Sequence, residues 1–89
     1  MLLIGGGETH VGAVAVGAQE NTSLMVIPPH KEGPLARDCA AALAERSGRT
    51  CVAVAGIHLD EISKEEILAI QENVKIALDH LLEAVFPQN

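Results

Sequence analysis

Eighty-nine residues with a net charge of −6 and one aromatic, Phe86, suffice for one small domain and offer neither the basic face nor the stacking platforms of nucleic-acid binding. No apolar run approaches the roughly 18 residues of a membrane span, and no basic stretch precedes the short apolar start as a signal peptide requires. The 48% hydrophobic content excludes a disordered chain, yet a domain this small buries only about 60% of its unfolded surface, which favours an oligomer.

Residues 2–4 are a strand fragment, and Gly5-Gly6-Gly7 behind it admits backbone conformations closed to other residues. Residues 11–16 are apolar and small, predicting a buried strand with room for close backbone approach. A polar turn over 17–22 leads to a strand over 23–27, which Pro28-Pro29 ends by removing two ladder donors. The short link makes these two strands an antiparallel hairpin. Gly33-Pro34 opens a helix, with Pro34 suited to the first helical position. Leu35, Cys39 and Leu43 form its apolar stripe, widened by Ala36, Ala40, Ala41, Ala42 and Ala44. Ser47-Gly48 stops it, Gly48 serving as a left-handed cap. A near-continuous apolar strand over 50–56 follows, and a strand–helix–strand crossover lays it parallel to the strand over 23–27.

Ser63-Lys64-Glu65-Glu66 is a capping box that starts the last helix, which runs to Phe86 before Pro87. About 24 residues at 1.5 Å each span about 36 Å, against roughly 17–20 Å for a short strand. Part of this helix is therefore expected to project past its own sheet. Ile67, Ile70, Val74, Ala77, Leu81 and Ala84 form one seam, and Leu68, Leu78, Leu82 and Val85 a second stripe beside it. A homodimer explains the second stripe. Burying Leu78, Leu82 and Val85 at about 1.5–3 kcal/mol each offsets much of an association cost of about 4–15 kcal/mol.

Three histidines stand at the ends of apolar runs: His10, His30 and His58. The hairpin and the crossover bring all three to one edge of the sheet, with Lys31, Glu32 and Asp60 as neighbours. Strand-end loops are where a scaffold carries function. An anion or cofactor pocket is one reading, with glycine N–H groups turned toward a phosphate, Lys31 as a point charge and imidazoles as donors. A zinc site of three imidazoles is a second, although no His-x-His or His-x-x-x-His spacing supports it. The ordinary alternative is that each imidazole caps a strand or bonds a carbonyl. No glycine spacing of the dinucleotide type and no nucleophile–base pairing is present, so no catalytic residue is assigned. His80, Glu65, Glu66, Glu72 and Glu83 read as solvated. Cys39 and Cys51 lack the spacing of a redox or zinc pair and read as buried free thiols in a reducing cytoplasm.

At these same residues the chain resembles a bacterial family, the LpdD-like prenylated-flavin chaperones associated with gallate decarboxylase. The matching motifs are Gly-Gly-x-x-His-Val-Gly-Ala at 6–13, Pro-His-Lys-Glu at 29–32 and Ala-Gly-Ile-His-Leu-Asp-x-Ile at 55–62, followed in register by Ser63-Lys64-Glu65-Glu66-Ile67. The resemblance implies a non-catalytic accessory protein that binds prenylated FMN, or FMN, for a decarboxylase of the UbiD type. It also implies a fold similar to the dimeric proteasome assembly chaperones. Such proteins carry a further N-terminal hairpin, so the start here is either truncated or a minimal version whose open edge a second copy pairs.

The expected fold is α/β (α+β): a small mixed sheet of about four strands with two helices packed on one face, in a single domain over residues 1–89. The expected cofactor-binding residues are Gly6, Gly7, His10, Gly12, His30, Lys31, Glu32, His58 and Asp60, with no metal ligands. Gly6 and Gly7 offer backbone donors, Lys31 the phosphate charge, and the imidazoles donors to phosphate or ring oxygens. The absence of Tyr and Trp implies modest affinity. The rival is a purely structural assembly chaperone acting through its long helix with no small molecule. A small metal-dependent enzyme is the third reading.

Overall fold

The computed structural model, which describes residues 1–8, 10–28, 32–58 and 61–88, runs β1 (Leu2–Gly7), β2 (Ala13–Gly17), β3 (Thr22–Val26), α1 (Gly33–Ser47), β4 (Cys51–His58) and α2 (Lys64–Val85). The expected mixed four-stranded sheet and two helices are present, an α+β arrangement. The chain divides into two compact units, Met1–Leu59 and Asp60–Asn89.

In the first unit the strands lie in the order β1-β4-β2-β3. β2 and β3 form the expected antiparallel hairpin, closed by Ala18 N–H donating to the Asn21 carbonyl at 2.7 Å. β4 runs in the direction of β3, as a crossover requires, but it does not pair with it. It pairs antiparallel with β2 and parallel with β1. Composition explains the exchange. Cys-Val-Ala-Val-Ala in β4 is apolar on both faces and suits a central position, whereas Thr22, Ser23 and the exposed Met25 tolerate an edge.

β1 is longer than its apolar letters suggest. Because β4 continues to His58, it templates three more pairs: Gly5 with Gly56, Gly6 with Ile57 and Gly7 with His58. The three glycines are thus strand residues, and Gly7, at φ 69°, makes the turn that follows.

Alternation sorts the sheet into two faces. Ala13, Ala15, Ala53 and Ala55 face α1 and are buried together with Ala36, Ala40, Cys39, Leu43 and Ala44. Small residues on both sides let α1 settle on β2, β3 and β4 at close range. At Gly17 the approach is closest: a Cβ there would collide with the Ala40 carbonyl. α1 ends as expected, with Gly48 at φ 71° donating its N–H to the Ala44 carbonyl at 3.0 Å. The other face carries Leu3, Val54, Val14 and Met25 in one row across all four strands, with Leu3 and Met25 68% and 69% exposed.

In the second unit the capping box closes both ways: Glu66 N–H donates to Ser63 Oγ, and Ser63 N–H donates to Glu66 Oε1, each at 3.1 Å. The least exposed positions of α2 are Ile70, Val74, Leu78 and Leu82, then Phe86 just past its end. The expected seam through Ile67, Ala77, Leu81 and Ala84 is exposed instead. A constant spacing of four follows one ridge of an α-helix, and that ridge carries the bulkier side chains. Leu82 is only 7% exposed in the single chain, so it has little area left to offer a second copy. Val85, at 54% exposed, retains its area.

Ser63→Ala removes the acceptor for the Glu66 N–H and should lower stability by about 1 kcal/mol. Urea unfolding followed by helical circular dichroism measures this, and an unchanged midpoint would show that the box carries no stability.

Candidate functional site

Parallel pairing sets the C-terminal ends of β1 and β4 side by side, and antiparallel pairing sets the start of β2 against the other side of β4. The segment between β1 and β2 is pinned at each side. Glu8 N–H donates to the His58 carbonyl at 3.1 Å, and Gly12 N–H donates to the Ala55 carbonyl at 2.9 Å. Gly12 also accepts from Ile27 N–H at 2.8 Å, which ties in the end of the hairpin. His10 stands between the two pins.

The expected convergence of His10 and His58 is present: their ring centroids are 5.6 Å apart and the planes meet edge to face at 83°. Nδ1 of His10 lies 3.1 Å from the Glu8 carbonyl. A carbonyl only accepts, so this contact places a proton on Nδ1. Nε2 faces Glu32 Oε2 at 3.8 Å, with side chains 20% and 13% exposed. That separation is beyond a hydrogen bond and is attractive while the imidazole carries its second proton. Glu32 is the residue before α1, and its carboxylate makes no bond to the helix N-terminus. His58 Nε2 lies 3.9 Å from the exposed Glu8 carboxylate, an exposed pair that contributes little to stability.

Of the other expected residues, Gly6 lies within β1 opposite Ile57, and Gly7 ends the strand opposite His58. His30, Lys31 and Asp60 lie outside the described residues. Glu8 is a site residue that sequence reasoning missed. Its carbonyl orients His10 and its carboxylate faces His58, and a carboxylate two residues before His10 is the only signal of it.

Among the described residues, no group of three or more His, Cys, Asp or Glu side chains is placed to hold a metal ion. At the opposite end of the sheet, Gln19, Glu20, Asn21, Thr22 and Glu45 line a cleft of about 320 Å³. Two carboxylates and no cation make it hostile to a phosphate. Cys39 is a free thiol on the buried face of α1, raised above its ordinary pKa by burial and then by the Asp38 carboxylate. It is a thiol rather than a thiolate nucleophile at neutral pH. Cys51, also free, is half-buried with Sγ 3.4 Å from Ser47 Oγ. We expect iodoacetamide to leave Cys39 unmodified in the folded chain and to alkylate it in urea, read by peptide mass spectrometry. Equal labelling in both states would contradict the burial.

No described helix is long and apolar enough to cross a membrane. No curated protein matches the chain. The family model described as the prenylated flavin chaperone LpdD-like domain matches residues 1–85, and the chain belongs to that family. A chaperone family indicates an accessory protein, and its name implies binding of prenylated flavin.

Proposed function

We propose that this chain is a non-catalytic accessory protein that holds prenylated FMN and passes it to an apo-decarboxylase of the UbiD type in the cytoplasm. The observation that supports the reading is the His10–His58 pair at the strand ends, flanked by Glu8 and Glu32. The donor set fits the polar edge of a flavin ring: imidazole N–H groups suit ring carbonyls, and a carboxylate suits a ring N–H. It suits a phosphate less, because Glu8 and Glu32 repel it. The phosphate therefore falls to Lys31, with His30 beside it in sequence, and to the backbone N–H groups of Gly6 and Gly7; the Gly12 N–H, expected as a further donor, is already held by the Ala55 carbonyl. Asp60, two residues after His58 in sequence, completes the set. The bound cofactor supplies the chemistry of the client enzyme; this chain's residues bind and orient it.

A second reading rests on α2, where Ile67, Leu68, Ile76, Leu81 and Val85 remain exposed. In that reading the helix grips the decarboxylase as an assembly chaperone and no small molecule is involved. A homodimer goes with either reading. The exposed Leu3 and Met25, and the edge position of β1, are the features a second copy would cover.

Titration calorimetry with FMN and with prenylated FMN tests the first reading: we expect binding to both, tighter to the prenylated form, and no heat with either would end it. His30→Ala with Lys31→Ala should abolish support of the decarboxylase if the cofactor matters. Leu68→Glu with Val85→Glu should abolish it if the helix matters, and both residues are exposed enough to change without unfolding the chain. Light scattering at micromolar concentration should give twice the chain mass of 9.3 kDa; a folded species at the single-chain mass would exclude the dimer.

A further inference from the structure

We infer that Gly56 is the positioning residue for His10, a role that rests on the cofactor-binding reading above and adds a residue of β4 to it. Between the pin at His58 and the pin at Ala55, the backbone of His10 and Val11 forms an arch against β4. The crest of the arch lies on Gly56. A Cβ at that position would occupy the place of the His10 carbonyl oxygen, 2.7 Å from its carbon and 3.4 Å from Val11 Cα. The obstacle is backbone rather than the tip of a flexible side chain, so any residue other than glycine lifts the arch. The arch carries the His10 ring with it.

Three contacts depend on where the arch rests. They are the bond from His10 Nδ1 to the Glu8 carbonyl, the facing of Nε2 and Glu32, and the edge-to-face contact with His58. Gly56 itself is buried and presents no group to a ligand. It acts by being absent beyond Cα.

Gly17 supplies a matched comparison. A Cβ there also drives into a backbone carbonyl, but that of Ala40 in α1, at the far end of β2 from His10. Gly56→Ala and Gly17→Ala should both lower the thermal midpoint. Only Gly56→Ala should move the His10 ring resonances in imidazole NMR, assigned with His10→Ala, and weaken FMN binding by about tenfold or more, the scale of one lost hydrogen bond.

His10 resonances unmoved by Gly56→Ala, or moved as far by Gly17→Ala, would overturn the proposal. If FMN fails to bind the native chain while Gly56→Ala still displaces the His10 resonances, the positioning role stands and the flavin reading falls. Should Gly56→Ala not fold, the native chain decides. A nuclear Overhauser contact between the Gly56 and Val11 α-protons has to be present, and FMN has to move Gly56 and His10 along one binding curve. Absence of the Overhauser contact, or FMN moving His10 without Gly56, overturns the proposal, whereas no response to FMN at all ends only the flavin reading.

Discussion

Close contact between α1 and the sheet rests on residues with almost no side chain, and most of the first unit follows from that. Ala36, Ala40 and Ala44 meet Ala13, Ala15, Ala53 and Ala55, and Gly17 receives a helix carbonyl directly. Packing of this kind gains little from each side chain, since burying one CH₂ contributes about 0.8 kcal/mol. It compensates by number of contacts and by density, because interiors packed like crystals gain dispersion at every atom. The cost is intolerance. A single added methyl at Gly17 has nowhere to go, whereas a core of leucine could rearrange around it.

The same economy of side chains shapes the site. β4 is central because it is apolar on both faces, and centrality gives its C-terminal end two neighbours. From one side comes the end of β1, from the other the start of β2. His58 is carried by the strand itself, His10 by a segment bonded to that strand at two points. Both imidazoles are therefore referred to one rigid element, the condition under which two side chains keep a fixed mutual geometry. Glu32 arrives from a different direction, at the head of α1, where the helix dipole favours a carboxylate. It makes no cap bond and faces His10 instead.

The family's name implies a prenylated flavin, and under the function proposed above the chemistry of the chain narrows how that ligand would be met. With no Tyr or Trp and one Phe, the chain has no large aromatic surface for stacking. What it offers near the histidines is a mixture of donors and acceptors, suited to the heteroatoms along the edge of a ring. Recognition by an edge leaves a face of the ring uncovered. A carrier that must release its cargo to an enzyme gains from that, since affinity and release are opposed.

Local sequence determined what depends on neighbours within a turn. The capping box at Ser63, the left-handed stop at Gly48 and the hairpin between β2 and β3 are all settled by residues at most four or five apart, where hydrogen bonds and steric exclusion act without the rest of the chain. Apolar runs also located the four strands, and the hairpin and crossover implied by the link lengths brought His10 to the same edge as His58. The order of strands was beyond it. Whether β4 paired with β3 or slipped between β1 and β2 turned on competition among apolar surfaces for the sheet centre, a comparison made only when all strands are present. The ridge of α2 that is least exposed, the extension of β1 through three glycines, the bridging part played by Glu8 and the resting of His10 on Gly56 belong to the same class. Each is an encounter between residues far apart in the chain or a choice among equivalent faces, and tertiary packing alone decides such contests.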